Sequence, residues 1–301
     1  MFGTRRLPNL KQHFATSHLF IIEVLEMDLK SSNLEMSSER LDLAEKDLRT
    51  VGFHIIENVI TAEDADKARE ATLALAETEA QNGKGSIYGE DKIRRVWALV
   101  SKGTIFCQLI QHPTVIAIWK RFLGEDVIAS TFTANIVGPG APAGGWHIDY
   151  PYWAMSPPFP EGSLTGQTVW MLDDFTPDNG PTACIPNSHK MLRRPSPGEA
   201  EKQQMAVATA PKGSILFTNG AIWHQCLPNT TKQSRVGLLG MYNRSVIYPQ
   251  EDMPRQLTDQ QLENQSDMLK QLLGRKMQFR DPENGINWRR TETGFDTHDA
   301  T

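Results

Sequence analysis

The chain has 301 residues and a mass of 33.8 kDa, room for one large domain or two small ones with an ample core. Its 31 basic and 36 acidic residues leave a net charge of −5, which gives no global attraction for nucleic acid or an anionic membrane. Cys107, Cys184 and Cys226 are too few for a disulfide framework or a zinc knuckle, and no apolar run approaches the roughly 20 residues of a membrane helix.

Residues 1–22 contain Arg5, Arg6 and Lys11 but no acid. That composition suits a weak organellar transit peptide, but a disordered extension, or a true start at Met27 or Met36, explains it more simply. A cytoplasmic location is the expectation. Residues 1–37 are read as this extension, 38–278 as a single domain and 279–301 as a polar tail.

Within the domain, Leu41, Ala44, Leu48 and Val51 recur at helical spacing, and Gly52 ends that helix. Phe53–Glu57 reads as a strand. Thr61 and Asp64 start a second helix running to about residue 80. Pro113 opens a third, which turns Val115, Ile118, Trp119 and Phe122 inward and stops at Gly124. The texture then changes. Val127–Val137, Thr168–Leu172, Thr182–Ile185, Gly213–Thr218 and Arg235–Tyr242 are β-branched or apolar runs separated by Gly, Pro, Asn and Asp. Many short strands with such turns predict a sandwich or small barrel, mainly β with packed helices. A last helix is predicted from the Thr258/Gln261 capping box to Gly274.

The most suggestive local feature is Gly144-Gly145-Trp146-His147-Ile148-Asp149. In an extended chain His147 and Asp149 share a face, so an imidazole and a carboxylate can grip one ion. His224, after the Asn219-Gly220 turn, is the best third ligand; His189 also follows a strand and competes for that place. Two His and one carboxylate with open positions opposite suit a non-haem Fe(II) oxygenase. The tripeptide alone says little, since chance supplies about half a His-x-Asp in such a chain. Arg235 adds to it. An arginine entering an apolar strand needs an anion, and its planar fork suits the carboxylate of a small dicarboxylate. An internal Asp or Glu partner would serve equally. Asp173 and Asp174 read as strand-end residues, and Cys184 and Cys226 as small apolar fillers.

Trp146–Tyr150, the run Trp170-Met-Leu-Asp-Asp-Phe-Thr-Pro-Asp-Asn-Gly-Pro-Thr182, Ile185-Pro-Asn-Ser-His189 and Trp223-His224 with Arg235 together resemble the phytanoyl-CoA dioxygenase family of Fe(II)/2-oxoglutarate oxygenases. The resemblance is strongest over residues 127–245. It implies a double-stranded β-helix, jelly-roll-like, with iron on His147, Asp149 and His224 and the far carboxylate of 2-oxoglutarate on Arg235. It implies that Thr182 touches the cosubstrate, with Arg95 a weaker match upstream. Many relatives carry Gln three residues before the metal His; here that position is Gly144, and Gln167 is the candidate replacement. O2 would be the oxidant, and succinate and CO2 would leave. The retained Asp149 argues against halogenation, and hydroxylation of a small or mid-sized metabolite, such as a natural-product intermediate, is the default outcome. Tyr150, Tyr152, Trp153, Trp97, Trp146 and Trp223 are candidate pocket walls, and Pro157–Pro160 a loop over the mouth. Lys190, Arg193 and Arg194 are the candidate cations for the phosphates of an acyl-CoA. A catalytically silent metabolite-binding relative and a Zn-dependent hydrolase on the same ligands stay open.

Overall fold

A computed structural model describes Leu29, residues 36–275 and the backbone of 288–291 and 294–297. The rest of the expected extension and tail lies outside the described residues. Leu29 and Met36 pack against the main core, and Trp288–Thr291 (β11) pairs with Gly294–Thr297 (β12) within the stretch read as a tail.

The first helix, α1 (Ser38–Thr50), starts at Ser37, whose hydroxyl accepts the Arg40 amide, and buries Ala44 and Leu48. Gly52, with φ +101°, turns the chain into β1 (Phe53–Ile56). Thr61 caps α2 (Ala62–Gln81). Three elements follow that local pattern does not predict: β2 (Ser86–Tyr88), β3 (Ile93–Val96) and α3 (Thr104–Ile110). The two strands are short, and β3 carries Arg94 and Arg95; pairing of β3 with the long β4, and of β2 with β3, rather than local propensity, makes them strands. Next come α4 (Pro113–Leu123) and the strands β4 (Ile128–Val137), β5 (Thr165–Met171), β6 (Thr182–Cys184), β7 (Ala206–Val207), β8 (Ile215–Asn219), β9 (His224–Cys226) and β10 (Arg235–Asn243). The predicted last helix is two: α5 (Asp259–Glu263), which begins at the expected capping box, and α6 (Asp267–Leu272). Asn264 ends the first, and the Ser266 hydroxyl accepts the Leu269 amide to start the second. Among the described residues no helix is long and apolar enough to cross a membrane.

A seven-stranded sheet runs in the order β1-β8-β5-β10-β4-β3-β2, and a three-stranded sheet in the order β7-β6-β9. All pairings are antiparallel. This is the double-stranded β-helix expected. Strand alternation gives the large sheet two characters. Phe132, Ala134, Trp170, Phe217, Val236, Leu238 and Tyr242 join the core shared with the helices. Trp119 of α4 is central to it, stacking on Tyr242 at 5.7 Å and meeting Phe217 edge-on at 5.5 Å. The indole lies so close to Gly166 that a Cβ there would come within 2.3 Å of it. The other face carries Thr131, Thr133, Asn135, Gln167, Val169, Arg235, Leu239 and Met241 into a cavity of about 580 Å³ that residues of the small sheet also line.

Candidate active site

The site is assembled by the backbone before any side chain acts. Gly145 takes φ +74°, turning the chain so that the next residues run beside β9. The amide of His147 then donates to the His224 carbonyl at 2.9 Å, and that of His224 to the His147 carbonyl at 3.0 Å. This reciprocal pair sets the two imidazoles side by side, centroids 4.3 Å apart. Two residues on, the Asp149 amide donates to the Gly220 carbonyl at 2.8 Å, while Ile148 points away into a separate apolar cluster. Asp149 thus returns to the His147 side, and its Oδ1 lies 3.7 Å from His224 Nε2. One potential ligand atom from each of His147, Asp149 and His224 lies within 4.8 Å of the others.

Hydrogen bonds prepare all three. Nδ1 of His147 faces the Gly145 carbonyl at 2.9 Å, and Nδ1 of His224 the Ile222 carbonyl at 3.0 Å. A carbonyl only accepts, so each Nδ1 carries the proton and each Nε2 keeps its lone pair. Desolvation, reinforced by the neighbouring His224, pushes the pKa of His147 down and holds it neutral. Gln167 Nε2 donates to both Asp149 oxygens, at 3.3 and 3.2 Å.

Arg235 is 3% exposed and lines the same cavity. Its guanidinium lies 4.3 Å from the centre of the Phe175 ring, and Nη2 donates to the Gly180 carbonyl and meets Cys226 Sγ at 3.3 Å. Its Nε is buried without a partner. Among the described residues no carboxylate pairs with it: the oxygens of Asp173 accept from Arg69 at 2.7 Å and from the Val236 amide at 2.8 Å. Burial pulls its pKa down from the usual value. A desolvated cation with an unused donor is the counterpart an anionic ligand needs.

The remaining candidates divide. Thr182, Arg95, Trp97, Trp146, Tyr150 and Trp153 line the cavity; Arg95 Nε donates to Asn135 at 3.1 Å. Gln167 lines it too, engaged with Asp149. Tyr152 and Trp223 do not: each is at most 1% exposed, in the cluster around Ile148. Pro157–Pro160 does not line the cavity either; Phe159 is buried beside Tyr152, and its amide donates to the Leu192 carbonyl at 2.8 Å. His189 is no ligand. Its Nε2 bonds the Arg49 carbonyl at 3.1 Å, and it lines a different cavity. Nor do the candidate cations form a phosphate patch. Arg193 pairs with both Glu199 oxygens at 2.7 and 2.6 Å, Arg194 bonds the carbonyls of Trp153 and Met155, and Lys190 bonds Asn187. Asp174 accepts the Lys212 amide at 2.8 Å, a strand-end role like that of Asp173. Cys184 is a buried filler, its thiol pushed up to about 12 by desolvation, whereas Cys226 touches Arg235. Thr131, Thr133, Asn135, Leu239 and Met241 were not anticipated as lining residues. In β4 the alternation of Thr131, Thr133 and Asn135 with Phe132, Ala134 and Ile136 is the available signal, whereas β10 is apolar on both faces and offers none.

The family model for phytanoyl-CoA dioxygenase (PhyH) matches residues 48–237. Among curated proteins, dioxygenase af480 of Aspergillus fumigatus is 27% identical over 180 residues, 60% of this chain and 58% of that one. Ectoine dioxygenase of Stutzerimonas stutzeri is 24% identical, with 73% and 82% covered. The chain therefore matches little more than half of the fungal protein but most of the bacterial one. Among solved structures, the non-haem alpha-ketoglutarate-dependent carbocyclase SnoK superposes with TM-score 0.57 at 19% identity, covering 72% of this chain and 87% of that one. The epimerase SnoN, in complex with Fe3+, alpha-ketoglutarate and nogalamycin RO, does so with TM-score 0.58 at 16% identity, covering 71% and 88%. At these identities the structures share the fold. By its family match, this chain belongs to the phytanoyl-CoA dioxygenase family, whose members are non-haem dioxygenases dependent on Fe(II), 2-oxoglutarate and O2.

Proposed function

We propose that the protein hydroxylates a C–H bond of a small or mid-sized metabolite, with iron held by His147, Asp149 and His224 and 2-oxoglutarate anchored by Arg235. The observation that carries this reading is the convergence of two Nε2 lone pairs and a carboxylate beside a buried, carboxylate-free arginine in one cavity. Two imidazoles and one carboxylate suit ferrous iron with open positions. Iron held there would let O2 and 2-oxoglutarate supply the oxidising chemistry, with succinate and CO2 as the coproducts.

The chain's own part is positioning. The backbone pair between His147 and His224 sets the spacing of the imidazoles. The Gly145 and Ile222 carbonyls fix their tautomers, and Gln167 orients the Asp149 carboxylate. Arg235 receives the distal carboxylate, with the Thr182 hydroxyl nearby on the cavity wall. Arg95 is assigned to the same wall. Val169, Leu239 and Met241 keep the space between apolar.

The test is anaerobic loading with Fe(II) followed by 2-oxoglutarate and air. Iron-dependent succinate release in wild type, abolished in His147→Ala and Asp149→Ala, supports the reading. Zinc-dependent hydrolysis without oxygen, or unchanged turnover in both variants, would overturn it.

A further inference from the structure

We propose that Trp97 and Trp153 form an aromatic clamp at the cavity mouth, and that the substrate is an apolar, ring-bearing molecule, neutral or carrying one acidic group. This rests on the placement of the metal and cosubstrate proposed above, which leaves the mouth for the substrate.

The first observation is exposure. Trp119, Trp170 and Trp223 are fully buried, whereas Trp97 is 44% exposed, Trp153 51% and Tyr88 38%. All three exposed rings line the same cavity. Apolar surface gathered at one opening marks a binding site rather than ordinary surface composition.

The second is the backbone beneath the rings. Ala98, directly after Trp97, sits at φ +52°, a region unfavourable for a residue with a Cβ. Its amide donates to Glu251 at 3.0 Å, and Lys102 Nζ donates to the Trp97 carbonyl at 2.6 Å. The Arg95 guanidinium lies 5.2 Å from the Trp97 ring and 5.8 Å from that of Tyr88. On the segment that follows the His147–Asp149 pair, the Trp153 amide donates to the Asp149 carbonyl at 3.2 Å, and Arg194 holds the Trp153 carbonyl. The Trp153 ring lies 6.0 Å from that of Tyr150. One indole therefore follows a strand of the large sheet, and the other follows the segment bridged to the small sheet. Each is held on a constrained backbone although its ring is left in water. Indole faces offer broad contact to a flat ring at low entropic cost.

The third is charge. Among the described residues, the charged side chains lining the cavity are Arg95, Asp149 and Arg235, beside the two histidines. With Asp149 on the metal and Arg235 on the cosubstrate, no carboxylate among the described lining residues remains to receive an ammonium group. An amino-acid-like zwitterion is poorly served, whereas a neutral ring compound, or one with a single acidic group facing Arg95, is not.

The experiment titrates 2-naphthol and L-proline into the full chain by calorimetry, both alone and after anaerobic loading with Fe(II) and 2-oxoglutarate. Binding of 2-naphthol is expected, weakened about tenfold or more by Trp97→Ala and by Trp153→Ala and largely restored by Trp97→Phe. Tyr248→Ala, which alters an exposed ring absent from the cavity lining, serves as the control and should change nothing. Equal or tighter binding of L-proline, no binding of 2-naphthol, or undiminished 2-naphthol binding in both alanine variants overturns the clamp. Failure of wild type to take up Fe(II) and 2-oxoglutarate would instead count against the proposed chemistry, and is read before either probe is added. The titrations without metal still decide the clamp in that event.

Discussion

Replacing Arg235 with methionine separates function from stability. The wild-type side chain is 3% exposed with a partnerless Nε and no counter-carboxylate. Removing the cation relieves an unsatisfied buried donor, roughly 1–3 kcal/mol. It forfeits the contact with Phe175, about 0.5–2 kcal/mol, and one bond to the Gly180 carbonyl. These terms nearly cancel, and methionine fills similar volume. Arg235→Met should therefore leave the ligand-free protein within about 1 kcal/mol of wild type, a change of a few degrees in Tm at most. The cosubstrate response should differ sharply. A charge-assisted hydrogen bond contributes about 1.5–3 kcal/mol, so 2-oxoglutarate affinity should fall by a factor of about 10 to 150. Thermal melts with and without 2-oxoglutarate, under anaerobic Fe(II), read both quantities. Wild type at 100 times Kd should gain about 2.7 kcal/mol, and the variant at the same concentration far less. Equal cosubstrate stabilisation in both proteins refutes the anchor. A variant that loses several kcal/mol without ligand would show that Arg235 is chiefly structural.

Gly166→Ala should destabilise the fold by about 1–3 kcal/mol, since its Cβ would collide with the Trp119 ring; denaturant melts measure it, and an unchanged midpoint would mean that helix α4 shifts freely. Gln167→Leu removes the donor to both Asp149 oxygens and should weaken Fe(II) affinity about 10- to 100-fold, measured by metal competition; unaltered affinity would show that the carboxylate needs no help. Burial pushes the His112 imidazole down from 6.5 to about 4, so the unfolded chain takes up that proton near pH 6.5 and the folded chain only near pH 4. Stability is lost as pH falls through that window, about 3 kcal/mol in total, with no contribution above it. His112→Asn keeps a cap acceptor for α4 and should gain on wild type by that amount between pH 7 and 4 in chemical melts; a constant difference would contradict the buried neutral imidazole.

Of the barrel strands, β4, β5, β6, β8 and β10 were legible because Asp178-Asn179-Gly180 and similar turns punctuate β-branched runs, whereas β7 and β9, of two and three residues, were not. Nor were β2 and β3, because β3 forms by pairing with β4 and the edge strand β2 by pairing with β3. The capping box at Thr258 was correct, but nothing before it showed that Ser266 would cap a second helix. Among the aromatics, composition could not separate Tyr152 from Trp153. One packs under the active-site segment and the other faces solvent, and that difference depends on the single short turn holding both.

His-x-Asp is informative in this fold because strand alternation sends Ile148 one way and its neighbours the other. The identity of the third ligand was not a local matter. His189 and His224 both follow strands, and only the reciprocal amide bonds between residues 147 and 224 bring one of them to the site. Gln167 is a sequence candidate for cosubstrate contact, but its bond to Asp149 was hidden for a different reason. Every residue of Thr165–Met171 is buried, because helices cover one face of β5 and the cavity lies on the other, so the run shows no polar–apolar alternation. Its partner Asp149 lies outside the large sheet, and strand register within that sheet cannot reach it. Residues that touch the ion can be found by side-chain chemistry, but residues that aim those ligands are set by which walls the fold brings face to face.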